Sequence, residues 1–280
     1  MIAPVQANGA DQVVLEVRDI HVGFDAFTVL DGMSFRVRRG EVRFLIGPNG
    51  AGKTTLLDII TGRTRPNAGS VHFTPRAGGK PAAPVNLVGR DEGEIARLGI
   101  GRKFQTPSVF GSLTVAENLE LAACVRRGVS GLVGRTPSTV TARVEEILDE
   151  IGLQSRRAVL AATLAHGERQ WLEIGMLLGQ DADLLLLDEP VAGMTRAERD
   201  RTGELLHRIA QDRTVVVVEH DMAFLRQFGR DVTVLHMGTV LVEGPVAQVQ
   251  ADPRVIEVYL GRGSRHHGTP NKSASTGGAR

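Results

Sequence analysis

The chain has 280 residues, room for one large domain or two small ones. Hydrophobic residues at 42% and charged residues at 23% exclude a disordered or fibrous chain. Lys+Arg at 33 against Asp+Glu at 32 leave a net charge of +1, which gives no general basic field for nucleic acid. The one cysteine, Cys124, excludes an internal disulfide framework and suits a reducing compartment.

Residues 1–12 lack helical or strand periodicity, a basic n-region and an apolar h-region, so they read as a flexible N-terminus rather than a signal peptide. Residues 13–17 and 42–46 read as strands. Between the second of these and an expected helix over 54–61 lies Gly47-Pro48-Asn49-Gly50-Ala51-Gly52-Lys53-Thr54, which fits G-x-x-x-x-G-K-[ST]. Glycines let successive backbone N–H groups face one concavity, and the helix N-terminus adds partial positive charge. The spacing predicts that residues 47–55, Thr55 included, cradle the phosphates of a nucleoside triphosphate. Lys53 is expected on the β- and γ-phosphates, and the Thr54 hydroxyl on Mg²⁺.

The Pro/Gly/Ala-rich stretch 75–84 reads as a flexible surface loop. From about 106 to 167 the pattern is helical without convincing strands, with a helix at 142–152, and is expected to form a helical subdomain. A helix over 168–179 precedes the apolar strand 184–187, which runs into Asp188-Glu189-Pro190. A carboxylate at the end of such a strand lies at the sheet edge where the phosphate loop opens, so Asp188 is the expected Mg²⁺ ligand. Glu189 is the expected general base for the attacking water. Helices at 196–211 and 221–229 flank the strand 215–218, and a last strand follows at 232–235. Strands alternating with helices predict an α/β fold on a largely parallel sheet. Residues 261–280 hold Arg262, Arg265, Lys272 and Arg280 with no acid, and read as a disordered basic tail. His266 and His267 in that tail have no further metal ligands near them in sequence.

In order and spacing, the two phosphate-site motifs resemble the ATP-binding cassette of ABC transporters, over about residues 13–260. The resemblance implies a P-loop NTPase with a RecA-like parallel-sheet core, an antiparallel β-subdomain and a helical subdomain, hydrolysing ATP with Mg²⁺. It implies that Phe24 stacks on adenine, with Phe27 as the fallback. It implies that Gln105, in GRKFQTPSVF, reaches Mg²⁺ and the attacking water, and that His220, in VVVVEHD, contacts the γ-phosphate. The signature loop, Ala165-His166-Gly167-Glu168, is expected to meet ATP held by a second cassette. Here the chain departs from the family pattern: Ala165 stands in place of serine, and Thr195 in place of the aspartate usual after the acidic pair. His166 is expected to supply a replacement hydrogen bond to phosphate.

GIGRKFQTPSVFGSLTVAENLEL, LAHGERQWLEIGMLL and EPVAGMT resemble the urea-importer branch, close to the branched-chain amino-acid importers. The implied assembly is a homo- or heterodimer of cassettes docked on membrane permease subunits at the cytoplasmic face, served indirectly by a solute-binding protein, with no nucleic-acid partner. A branched-chain amino-acid importer and a non-transport nucleotide-binding regulator are the alternatives. The interval between Lys53 and Asp188 is too short for the long coiled-coil insertion of DNA-repair cassettes.

Overall fold

The computed structural model describes residues 12–24, 27–103, 109–125 and 138–260. A six-stranded sheet forms the centre, in the order β12 (Thr239–Pro245), β11 (Asp231–His236), β3 (Val42–Ile46), β10 (Thr214–Val218), β9 (Leu184–Asp188), β8 (Ile100–Lys103). All neighbours are parallel except the β11–β12 hairpin. The strands β3, β9 and β10 are buried along their whole length. Phe44, Leu185, Leu187, Val215 and Val217 enter one core, whereas Leu45, Leu184, Leu186, Val216 and Val218 enter another. Burial on both faces is why these strands read as unbroken apolar runs.

The first core packs under α3 (Val115–Val125), α4 (Ser138–Ile151), α5 (His166–Gly179), α6 (Arg196–Ile209) and α7 (Met222–Phe228). The second lies between the central sheet, α1 (Lys53–Ile60) and an antiparallel sheet. That sheet has the order β2 (Phe27–Arg38), β1 (Val13–Phe24), β4 (Ala68–Phe73), β7 (Val85–Asn86). The helices α3, α4 and α5 pack mutually, and Gly175 lets α5 approach both partners: a Cβ there would lie 2.8 Å from Ile151 and 3.1 Å from Leu119. A short helix α2 (Glu92–Leu98), capped reciprocally by Asp91 and Glu94, leads into β8. The last described elements are α8 (Val246–Ala251) and α9 (Pro253–Leu260).

Three expectations need correction. The first strand continues to Phe24 because Asp19, with φ 49°, inserts a bulge. Leu15 and Val17 point inward before it, and Ile20 and Val22 after it, so the alternation changes parity and the sequence pattern breaks. Residues 75–84 are not a structureless loop: β5 (Arg76–Ala77) pairs with β6 (Lys80–Pro81). Their connection is Gly78-Gly79, both at positive φ, the two-residue turn that suits a hairpin. Gln12, expected in the loose N-terminus, accepts from Arg39 at two oxygens, 2.8 Å from its backbone N–H and 3.2 Å from its guanidinium. The expectations for residues 1–11 and 261–280 lie outside the described residues.

Candidate nucleotide site

The site assembles at the C-terminal ends of three adjacent strands, β3, β10 and β9. From β3 the chain enters the phosphate loop, whose shape depends on its glycines. Gly47 has φ 155°, and a Cβ there would lie 2.2 Å from the Leu235 carbonyl. Gly52 has φ 97°, directly before α1, and a Cβ there would strike Leu30 at 2.4 Å. Gly50, at φ 81°, has open space around it. Within the loop the Ala51 N–H donates to Pro48 O at 3.1 Å, while Asn49 and Thr54 lie exposed. Thr55 is half-buried on the first turn of α1.

Lys53 folds back over the loop, donating to Gly47 O at 2.7 Å and Pro48 O at 3.0 Å. Burial pulls its pKa down, and the carboxylates of Glu189 and Asp188 oppose that shift. The expected cation and both expected carboxylates therefore share one electrostatic environment. Asp188 ends β9 at 2% exposure. Burial raises its pKa, chiefly against the guanidinium of Arg102, which lies 3.8 Å from its Oδ2.

Directly after it, Glu189 sits in the left-handed region at φ 50°. A non-glycine residue held there is strained, and such residues cluster at functional turns. Its N–H is tied to Val218 O at 2.9 Å, so the turn is anchored on β10. Two residues beyond Val218, His220 places Nδ1 at 3.4 Å from Glu189 Oε1. Both side chains are accessible, at 65% and 36%. Asp221, the next residue, caps α7 through Ala223 N–H at 2.8 Å and Phe224 N–H at 3.0 Å, and also pairs with Arg199. Lys53, Asp188, Glu189 and His220 are thus brought together.

Thr54 and Asp188 offer hard oxygen donors, the set that suits Mg²⁺ rather than a softer ion. Bound there, Mg²⁺ would neutralise phosphate charge. Of the adenine candidates, Phe24 pairs with Phe27 at the end of the β1–β2 hairpin, and Phe27 is 79% exposed, not a core residue. Gln105 lies outside the described residues.

The signature segment stands apart from this cluster. Ala165 is the N-cap of α5, where its backbone N–H donates to Glu168 Oε2 at 3.1 Å. Alanine has no acceptor to return, so only half of a capping box forms. His166 places Nε2 2.9 Å from Ala192 O, in the loop after the acidic pair. Gly167 adjoins α6: a Cβ there would lie 2.3 Å from a Glu198 carboxylate oxygen. Thr195 caps α6 in a complete box with Glu198, with Oγ1 2.7 Å from Oε2. Threonine here serves the helix start that aspartate would also cap.

Sequence reasoning missed two residues at the site. Glu219, at 1% exposure, accepts from Val191 N–H at 3.2 Å and from His220 N–H at 3.1 Å. The signal was present, since VVVVE repeats the logic of LLLLD: an acid ending an apolar strand. Tyr259 of α9 packs on the first core with its hydroxyl pushed up to about 12 by burial, the Gly47 backbone opposing that shift. A cavity of about 350 Å³ opens elsewhere, between Thr61, Glu92, Ile95, Lys103, Glu173 and Met176.

Comparison with known proteins agrees with this geometry. A family described as "ABC transporter" matches residues 30–192, and one described as "Branched-chain amino acid ATP-binding cassette transporter" matches residues 239–264. The high-affinity branched-chain amino acid transport ATP-binding protein LivG of Salmonella typhimurium is 32% identical, over 89% of this chain and 98% of its own. BraF of Pseudomonas aeruginosa, described in the same words, is 31% identical over 89% and 98%. A crystal structure of the ADP conformation of an ATP-binding cassette of an ABC transporter superposes with TM-score 0.75 at 27% identity, covering 89% of this chain and 99% of that one. A nucleotide-free cassette from an ABC transporter gives TM-score 0.74 at 29% identity, with the same coverage. The chain therefore belongs to the ABC transporter family and is an ATP-binding cassette with ATPase activity.

Proposed function

We propose that the chain is the ATP-hydrolysing motor subunit of an importer for branched-chain aliphatic amino acids. The observation that carries this is near full-length similarity to LivG and BraF, together with the second family match across β12 and the C-terminal helices. Urea is the second reading, favoured by the GIGRKFQ and LAHGERQWLEIGMLL segments.

In this reading the phosphate loop and Lys53 hold the β- and γ-phosphates, and Thr54 and Asp188 take Mg²⁺. Glu189 accepts a proton from the attacking water, and His220 steadies the γ-phosphate beside it. Phosphoryl transfer needs positioning and charge stabilisation more than covalent chemistry. A second cassette closes the site with its own Ala165–Glu168 segment, and hydrolysis releases that closure. In this reading separate permease subunits carry the solute; among the described residues of this chain no helix is long and apolar enough to cross a membrane. The chain then works at the cytoplasmic face of the membrane.

Reconstitution tests this. The cassette, its permease subunits and the solute-binding protein would be placed in proteoliposomes, and ATP hydrolysis measured with leucine, valine or urea. Stimulation by leucine and valine supports the proposal. Stimulation by urea alone moves the substrate to the second reading, and no stimulation by any solute opposes an importer.

A further inference from the structure

Four valines end β10, and the next residue, Glu219, is a carboxylate at 1% exposure. Burying a charge is costly unless hydrogen bonds replace its water. Here backbone donors supply them from two separate turns. Oε1 accepts from Val191 N–H at 3.2 Å, two residues after Glu189. Oε2 accepts from His220 N–H at 3.1 Å and Asp221 N–H at 3.4 Å. The backbone of Glu219 is fixed as well, its N–H donating to Leu45 O of β3 at 3.2 Å.

From this clamp we infer that Glu219 is a positioning residue for ATP hydrolysis: it locks the Glu189 turn to the His220 turn, so that the two side chains meet at one place. The inference rests on the reading of Glu189 and His220 as the hydrolytic pair. Glutamate suits the task because both of its oxygens accept. Glutamine keeps one acceptor and turns an N–H₂ group towards a backbone N–H, which breaks the link to one turn. The clamp also bears on strain. Glu189 holds φ 50°, and its turn is tied on one side to Val218 O and on the other, through Val191, to Glu219. The geometry between Glu189 Oε1 and His220 Nδ1, 3.4 Å apart, is set by those ties. Burial raises the Glu219 pKa, and the backbone donors from Val191, His220 and Asp221 oppose that shift.

The test compares Glu219→Gln, Glu219→Asp, His220→Ala and the double variant Glu219→Gln/His220→Ala in the assembled transporter. It measures kcat, KM for ATP and nucleotide affinity. Loss of positioning by an ångström costs on the order of a hundredfold, so E219Q is expected to lower kcat by about ten- to a hundredfold. KM and affinity should stay within about twofold, since the phosphate loop is untouched. E219D keeps two accepting oxygens and should recover part of the lost rate. In the H220A background E219Q should cost little more, because both act through one arrangement. The inference is overturned if E219Q hydrolyses ATP at the wild-type rate, if its effect multiplies in full with that of H220A, or if affinity falls in step with kcat. A wild-type rate in H220A overturns the reading of His220 and the inference with it, whereas a slow H220A beside a normal E219Q overturns the inference alone.

Discussion

His166 Nε2 lies 2.9 Å from the carbonyl oxygen of Ala192. The first residue of α5 is thereby joined to the loop that follows Asp188 and Glu189. One hydrogen bond thus links the loop after the acidic pair to the signature segment of the same chain, and Gly193, at φ 72°, lies beside the ring, 3.4 Å from His166 for an added Cβ. Replacing His166 by phenylalanine should loosen this link. In a reconstituted transporter, ATP hydrolysis should lose part of its stimulation by solute while basal nucleotide binding stays within about twofold.

Ala165 leaves α5 with half a capping box. Ala165→Ser supplies the missing acceptor and should stabilise the chain by about 1 kcal/mol, read as a rise in thermal midpoint. The same hydroxyl should strengthen nucleotide contact across a cassette dimer, so ATPase rate or affinity should also rise in the assembled complex. Unchanged rate and affinity would show that Ala165 imposes no functional weakness.

Gly52 occupies a place that no other residue fits, at φ 97° and 2.4 Å from Leu30 for an added Cβ. Gly52→Ala should therefore displace the loop against β2 and reduce ATP affinity by about tenfold or more, with a stability loss of about 1–3 kcal/mol from backbone strain. Gly50→Ala meets no neighbouring atom and carries only the backbone penalty of its φ of 81°. Nucleotide titration of the two variants side by side separates crowding from strain.

Lys53→Ala removes the cation that the carboxylates of Glu189 and Asp188 favour against the effect of burial. Affinity for ATP should fall by about tenfold or more. Glu189→Gln should instead keep affinity and lower kcat by about a hundredfold, the range for loss of a general base. Equilibrium binding and single-turnover hydrolysis distinguish the two roles directly.

The strands β3, β9 and β10 were legible because burial on both faces makes Val42 to Ile46, Leu184 to Leu187 and Val215 to Val218 continuous apolar runs. The phosphate loop and the acidic pair were legible for a related reason: their chemistry needs fixed residue types beside those strands. The outer sheet was not. Asp19 and Gly32, both at positive φ, interrupt the alternation of β1 and β2, so neither strand shows one period along its length. The pairing of Glu219 with Val191, and of His166 with Ala192, joins residues 28 and 26 positions apart. No local pattern encodes such contacts: the first exists only once β9 and β10 lie side by side, the second only once the start of α5 meets the loop after β9.

The central claim, that this cassette drives import of branched-chain aliphatic amino acids, is tested most directly by uptake in cells lacking only this chain. Labelled leucine and labelled urea would be followed in parallel, with the deletion complemented by wild type or by Glu189→Gln. The account predicts that leucine uptake alone is lost, returns with wild type, and does not return with the variant. Leucine uptake that survives the deletion unchanged would contradict it.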